Sequence, residues 1–552
     1  MSGYYKRFPS RTGSFAHRLL QCLVVAVRPF TVEELAEVLA IDFSPSRGIP
    51  KLNEGLRWED QEQAILSACS SLVAIVEGGI SQTHRVVQFS HFSVKEFLTS
   101  DRLATSNVEA LRYYYIRSEA AHVITAQACL GVLLRLDNQI HVVGPERYPL
   151  APYAADYLGD HTEFDTVMLH NQDGLDLLFD SSLPHFGAML WVRYRAGHPQ
   201  RPGVVPLHWA AQQGYRNLVD FLVLKFPEDL TTMGVHGTPL HVALRWGNTD
   251  ASRRLLGHYA NLDVLDLDNN TPLHLAALRG MADIIRTLIE RNANVNSKDK
   301  KGQTPLHRII SSMSPFSGSY YLAGLRLLLN HDVDVGAHDR NYSTPLHLAS
   351  HIGSLEATLQ LLQHGASVHV RNNKGQTPLH LSSKNMIEPS DIAVAITRSL
   401  LEYGADVDAH DHKYSTPLHL ALSHGCFEVA RLLLEHGANV HVRNDEGRTP
   451  LHIFLPGCIG TASDTSVAIA RSMLEQGANV DAPDFQHSTP LHLATYDLHL
   501  EAIRLLLKHG ANAHVKNNWG HTPFQIASSR RHQKIMQLMM SGHMPKYKRN
   551  SL

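Results

Sequence analysis

TPLHLASHIGSLEATLQLLQHGASVHVRNNKGQ, residues 344–376, is one unit of a phrase that this chain repeats ten times. Thr344 can cap a helix whose first position is Pro345, where a missing N–H leaves nothing unsatisfied. Leu346, Leu348 and Ala349 give that helix a buried side, and Gly353 ends it. Leu355 to His364 carry apolar residues at helical spacing, and Gly365 follows as a left-handed cap. Residues 366–376 then make a projecting hairpin, the finger, before the phrase begins again. The prolines of the ten copies are Pro206, Pro239, Pro272, Pro305, Pro345, Pro378, Pro417, Pro450, Pro490 and Pro523, separated by 33, 33, 33, 40, 33, 39, 33, 40 and 33 residues.

A 33-residue period carrying T-P-L-H-x-A is the mark of the ankyrin repeat, a finger plus two antiparallel helices that cannot bury its apolar face alone and must stack on its neighbours. The expected fold class is mainly α: an ankyrin-repeat solenoid of about ten repeats with alternating 33 and 39–40 residue periods, preceded by a winged-helix-like module and a helical connector. The expected organisation is an N-terminal tail (1–13), the winged-helix-like module (14–103), the connector (104–203), the array (204–541) and a basic tail (542–552).

The histidine of the phrase recurs as His208, His241, His274, His307, His347, His380, His419, His452 and His492. A ladder of imidazoles suggests metal, but successive helices stack about 8–10 Å apart, too far to share one ion. In ankyrin repeats this histidine ties a helix to the neighbouring finger, and that is its expected role.

From Pro305 onward every second repeat carries six or seven extra residues, around 314–319, 385–390 and 457–464, between its two helices. These are expected to be tolerant loops at the helix ends away from the fingers. The fingers alternate in step. One type reads KDKKG, RNNKG, RNDEG and KNNWG; the other reads HDRNYS, HDHKYS and PDFQHS. The unit is therefore a pair of repeats, as Pro305, Pro378, Pro450 and Pro523 lie 73, 72 and 73 residues apart. Where the first type has Gly302, Gly375, Gly447 or Gly520, the second has Tyr342, Tyr414 or His487. Either the alternate fingers adopt another turn, or a bulky residue sits at positive φ at about 1–2 kcal/mol. Both outcomes expose an aromatic ring at the tip. Copying of one ancestral substitution and selection for contact explain it equally. At the finger bases His369, His441 and His514 alternate with Asp408 and Asp481, a spacing at which the two could pair.

Composition bounds the function. The chain has 552 residues, 43% of them hydrophobic and 18% charged, with 50 Lys and Arg against 52 Asp and Glu. That is a foldable chain with no electrostatic footprint for nucleic acid or an anionic membrane. The one basic cluster, Lys546 to Arg549, reads as a solvated tail or a weak localisation signal. Five scattered cysteines form neither a disulfide framework nor a metal site and point to a reducing compartment, the cytoplasm with the nucleus as alternative. The apolar run from Leu19 to Val27 is too short to span a bilayer. GxSxG, HExxH, CxxC and phosphate-loop motifs are all missing, so no catalytic, cofactor-binding or metal-binding residue is assigned and the chain is expected not to be an enzyme.

Residues 14–103 differ from the repeats. A helix over 15–27, a capping box at Thr31-Val32-Glu33-Glu34 opening a helix through Ala40, a helix over 59–70, strands at 72–77 and 85–89 around Gly78-Gly79, and a last helix from a capping box at Ser93-Val94-Lys95-Glu96 describe a winged helix. Residues 1–103 hold 11 basic and 11 acidic residues, which argues against DNA binding.

AHRLLQCLVVAVRPFTVEELAEVLAIDF at 16–43, ILSACSSLVAIV at 65–76 and VVQFSHFSVKEFL at 86–98 resemble the winged helix that follows the NACHT nucleotide-binding domain in fungal STAND-type proteins. YPLAPYAADYLGDH at 148–161, with GLDLLFD and PHFGAMLWVRY within 174–194, is similar to their helical connector. The resemblance implies a sensor or regulatory role in signalling or self/non-self recognition. Such a NACHT domain needs GxxxxGK[ST], and no Gly-Lys dipeptide occurs in this sequence, so ATP-dependent switching is not carried over.

The expected function is a non-enzymatic module that binds a protein on the concave ankyrin face, without small-molecule substrate or membrane and with nucleic acid disfavoured. The alternative is a winged-helix transcriptional regulator carrying an ankyrin array. The expected contact residues are the tips Lys300, Arg340, Asn341, Tyr342, Asn373, Lys374, His412, Lys413, Tyr414, Asp445, Glu446, Phe485, Asn518 and Trp519, with Trp246, His351, His424 and Tyr496 from the first helices. Calorimetric titration of the chain with ATP is expected to give no heat beyond dilution; saturable micromolar binding would overturn this.

Overall fold

Thr31 opens the N-terminal architecture with a reciprocal cap: its Oγ1 accepts from the Glu34 N–H at 3.2 Å, and the Glu34 carboxylate accepts from the Thr31 N–H at 2.8 Å. The computed structural model describes residues 12–43, 49–69, 71–77, 85–108, 112–137, 140, 144–194, 204–259, 261–313, 320–384, 390–454 and 464–541. Contacts divide the chain into two units, 1–261 and 262–552.

In the first unit the elements run α1 (Thr12–Val25), β1 (Phe30–Thr31), α2 (Val32–Val38), β2 (Ile41–Asp42), β3 (Lys51–Leu52), α3 (Gln61–Cys69), β4 (Val73–Glu77), β5 (Arg85–Phe89), α4 (Phe92–Leu98) and α5 (Asp101–Ala104). The antiparallel sheet has the order β1-β5-β4, with Phe30 opposite Val87 and Val73 opposite Phe89. The cap at Thr31 is as expected. That at Ser93 is not: His91 caps α4 by accepting from the Ser93 N–H, and Ser93 lies inside the helix. The β2-β3 pair had no legible signal, because two-residue strands are too short to show alternation. The Gly78-Gly79 turn lies outside the described residues.

Among the described residues the helices α6 (Ser118–Leu133), α7 (Ala151–His161), α8 (Asp165–Phe179) and α9 (His185–Tyr194) then follow. The largely apolar α6 packs along α1 and against α7 and α8. Tyr153 of α7 joins helical segment to winged helix. Its ring lies 4.1 Å from that of Phe30, the Arg28 guanidinium sits 5.1 Å from the ring centroid, and its hydroxyl accepts from the Val27 N–H at 3.2 Å. The hydroxyl also meets His161 Nε2 at 3.1 Å, and His161 Nδ1 meets His122 Nδ1 at 2.9 Å. Both rings are held neutral, His161 down to about 3 and His122 to about 4, chiefly by burial. Glu37 of α2 closes the same seam, accepting from the Leu150 N–H at 2.8 Å and from Arg57. Two repeats complete this unit, and Gly159 leaves room for the Tyr215 ring, which would stand 2.0 Å from a Cβ there.

Every phrase proline is the first residue of a helix, from Pro206 through Pro523. The phrase leucines Leu207, Leu240, Leu273, Leu306, Leu346, Leu379, Leu418, Leu451 and Leu491 are at most 1% exposed. Burial of each contributes about 1.5–3 kcal/mol. In residues 344–376 the helices span Pro345–Ile352 and Leu355–Gln363, with Gly353 and Gly365 at φ +82°. Leu348 is only half buried; His347 and Ser350 take the buried places beside Leu346 and Ala349.

The histidine ladder joins the repeats. In the second unit Nδ1 of His274, His307, His347, His380, His419, His452 and His492 accepts from its own N-cap threonine N–H at 3.0–3.2 Å. Nε2–H donates to the last carbonyl of the following finger, from Gln303 to His521, at 3.0–3.2 Å. Gln525 takes the place of histidine in the tenth repeat and keeps the reach back to Thr522.

The long repeats have helix pairs Pro305–Ser312 with Tyr320–Leu329, Pro378–Ser383 with Ser390–Glu402, and Pro450–Phe454 with Asp464–Glu475. Their insertions at 314–319, 385–389 and 457–463, residues 1–11, and the tail 542–552 with its basic cluster lie outside the described residues.

Burial holds His380, His419 and His452 down to about 4, against opposing pulls from the carbonyl each donates to and from Asp411 or Asp484. Groups that ordinarily titrate near 6.5 must stay neutral in the fold. Their stabilisation is complete above pH 6.5 and is lost as pH falls toward 4, at about 1.4 kcal/mol per group per pH unit. Scanning calorimetry between pH 7.5 and 4.5 is expected to show the melting temperature falling steeply below pH 6.5; a flat profile would remove the histidines from the stability of the array.

Candidate protein-interaction face

Each finger is built on one aspartate or asparagine whose Oδ1 accepts two backbone N–H groups ahead of it. Asp339 takes those of Asn341 and Ser343, Asn372 those of Lys374 and Gln376, and Asp411 those of Lys413 and Ser415, at 2.8–3.0 Å. Its carbonyl accepts from the residue three positions on, which is Gly302, Gly375, Gly447 or Gly520 in one finger type and Tyr342, Tyr414 or His487 in the other. The glycines stand at φ +73° to +75°, the bulky residues at +55° to +57°. The alternate fingers therefore make the same turn and carry the left-handed residue as strain.

Backbone bonds run from tip to tip. Arg340 donates to Lys301, Asn373 to Asn341, His412 to Lys374, Asp445 to Lys413, Phe485 to Glu446 and Asn518 to Gln486, at 2.8–3.1 Å. The tip residues are thus fixed in one continuous edge with their side chains turned to solvent. Lys300, Arg340, Asn341, Tyr342, Asn373, Lys374, His412, Lys413, Tyr414, Asp445, Glu446, Phe485, Asn518 and Trp519 are all exposed.

The structure also gives the two-repeat unit a physical basis that sequence reasoning missed. Lys298 Nζ donates to the His338 carbonyl at 3.1 Å, and Arg371 and Arg443 reach the carbonyls of His410 and Pro483. A cation on one finger type stitches it to the next. In the second type His338 and His410 lie over Tyr342 and Tyr414, at 5.0 Å and 17° and at 5.8 Å and 4°. The legible signal was the alternation of Lys or Arg with His or Pro just before the finger aspartate or asparagine.

The aromatic tips differ in support. Tyr342, Tyr414 and Trp519 are 57%, 60% and 59% exposed. Phe485 lies across Gly447, where a Cβ would stand 2.6 Å from its ring, yet it remains 66% exposed. Tyr496, at the end of a first helix, carries the Arg530 guanidinium 4.7 Å from its centroid. His351 and His424 are exposed on first helices of the same unit, whereas Trp246 ends a first helix of the other unit and is 54% exposed. At the finger bases Asp408 and Asp481 use Oδ1 to accept from the Asn439 and Asn512 N–H groups at 2.8 and 2.9 Å, binding backbone and not imidazole through that oxygen.

A family model described as "Ankyrin repeats (3 copies)" matches residues 207–299, 240–316, 316–409, 390–455 and 459–549, more than half of the sequence. The chain belongs to the ankyrin-repeat family. A second family model, "GPI inositol-deacylase, winged helix domain", matches residues 7–109, over the three-helix and sheet module. "Azaphilone pigments biosynthesis cluster protein L" of Monascus ruber is 29% identical over 148 residues, 26% of this chain; the match spans 30% of that relative's own length. No helix among the described residues is long and apolar enough to cross a membrane.

In an ankyrin finger the left-handed position favours glycine, and a Cβ there is strained whatever the side chain. Tyr342→Gly is expected to be more stable than Tyr342→Ala by about 1 kcal/mol, although both lose the ring and its contact with His338. Urea melts of the two variants compare them; an alanine variant as stable as glycine would mean the finger relaxes to another turn.

Proposed function

We propose that this chain is a non-enzymatic protein-interaction module whose partner lies on the concave ankyrin face. The supporting observation is the row of Tyr342, Tyr414, Phe485 and Trp519, each more than half exposed on an edge where a backbone hydrogen bond joins each tip to the next. Rigid, exposed aromatic rings are unfavourable in water and are the residues that carry interface hot spots. The backbone bonds mean that little ordering is left to lose on association, and Tyr496, His351 and His424 extend the same kind of surface from the first helices.

The order of a winged helix, a helical segment and an ankyrin array supports a place as the sensor or regulatory part of a STAND-type signalling protein. Ligand binding on the array would be relayed through the helical segment. Cys22, Cys69 and Cys129 are buried thiols, which favours a reducing compartment, the cytoplasm or nucleus. Transcriptional regulation is the weaker reading: α3, the helix a winged helix would lay in the major groove, reads QEQAILSAC, with one carboxylate and no cation.

With a partner captured by the full chain, replacing Tyr342, Tyr414 and Trp519 together by Ala should weaken binding by about a hundredfold or more while the array stays folded by circular dichroism. Unchanged affinity would move the site off this edge.

A further inference from the structure

The charges on the finger tips are segregated. Lys300, Lys301, Arg340, Lys374 and Lys413 occupy four consecutive tips, exposed and without an ion pair among the described residues. At the tips the carboxylates Asp299, Asp339 and Asp411 are buried and bound to backbone N–H groups, while Asp334, Asp406 and Asp408 lie at the finger bases, where each accepts a backbone N–H. The first helices behind them, Pro305–Ser312, Pro345–Ile352, Pro378–Ser383 and Pro417–Ser423, contain no carboxylate and add Lys384 just past the third. The stretch ends abruptly at both sides. Asp268 is exposed on the preceding tip, and Asp445 and Glu446 are exposed on the following one, Glu446 2.6 Å from Arg448. Burial and the cations Lys384 and Lys374 push down the His351 imidazole within this region, consistent with a positive field.

Resting on the interaction reading above, we propose that the tips from Lys300 to Lys413 receive an extended acidic peptide segment of the partner, with Tyr342 and Tyr414 taking apolar side chains between its carboxylates. Fingers stack about 10 Å apart, so four tips span about 30 Å, which an extended chain covers in about nine residues. Tyr342 and Tyr414, two fingers apart, then face positions about six residues apart in that segment. A nucleic acid fits poorly: it carries one charge per about 1.7 Å as a duplex, far denser than five cations over this length, and would run onto the bounding carboxylates. A peptide can reverse its sign or end there.

The test uses the full chain, a fluorescein-labelled deca-glutamate peptide, and deca-lysine and decathymidylate controls, read by anisotropy at about 50 mM salt, where exposed charges are weakly screened. Deca-glutamate is expected to bind saturably, to weaken at least about tenfold on Arg340→Glu with Lys374→Glu, and to tighten on Asp445→Lys with Glu446→Lys, which removes the carboxylates that end the stretch. Should the reversed pair disturb folding, Arg340→Gln with Lys374→Gln gives the same comparison. No binding of deca-glutamate, binding that survives both pairs, or decathymidylate bound as tightly with the same dependence would each overturn the proposal. A captured partner lost with the three aromatics but indifferent to both cation pairs would sink the acidic segment and leave the interaction reading standing; indifference to all of them would remove both.

Discussion

The bond on which the array depends is the one from each phrase histidine to the next finger. A single ring accepts from its own N-cap threonine and donates across to a carbonyl about 30 residues later, so it fixes the start of one helix and the position of the next hairpin together. Both jobs require the neutral ring. A protonated ring would present two donors, and Nδ1 would face a backbone N–H it could no longer accept. Burial provides that neutrality, and the histidines lie buried beside the equally buried phrase leucines. Hydrogen bonding and apolar packing are therefore coupled at one point, which is why the phrase recurs so nearly unchanged.

Around that constant phrase the fingers differ by two-repeat alternation, and the physical content of the alternation is a division of labour. The glycine fingers take the left-handed turn without strain and carry the cation that reaches the next hairpin. The tyrosine fingers receive that bond, carry the strain and hold their rings against a histidine in an exposed stack. Strain kept at an exposed position has no benefit to folding, an observation that supports the proposed contact role of the tyrosines. The segregated tip charges lie on the same edge.

The N-terminal unit is organised differently. Its winged helix and following helices share a seam centred on Tyr153, where a backbone N–H, a hydroxyl and two imidazoles form one chain of hydrogen bonds. The chain is satisfied with neutral rings, Tyr153 donating to His161 Nε2 and His161 Nδ1–H donating to His122. The seam ties the winged helix to α6 and α7 through side chains from both.

The sequence by itself determined the repeat architecture, because a proline at helix position one, a threonine before it and a glycine after the helix are local requirements that recur at a readable period. It also located the alternation and the aromatic tips, and it identified the histidine as structural. What it left open was set by tertiary structure. Whether Tyr342 takes another turn or the strained one depends on the Asn373-to-Asn341 bond and its fellows, which lock each hairpin to its neighbour. The start of α4 depends on the His91 side chain and not on the Ser93 pattern, since two caps two residues apart compete and only the surrounding strand decides. The bridging bonds of Lys298, Arg371 and Arg443 and the bond from Val27 to Tyr153 join residues 39 to 126 positions apart, and the burial of the finger aspartates depends on the same packing. The alternation of Lys or Arg with His or Pro marks where the bridges start but not which carbonyl each reaches; only the packed chain brings the partners together.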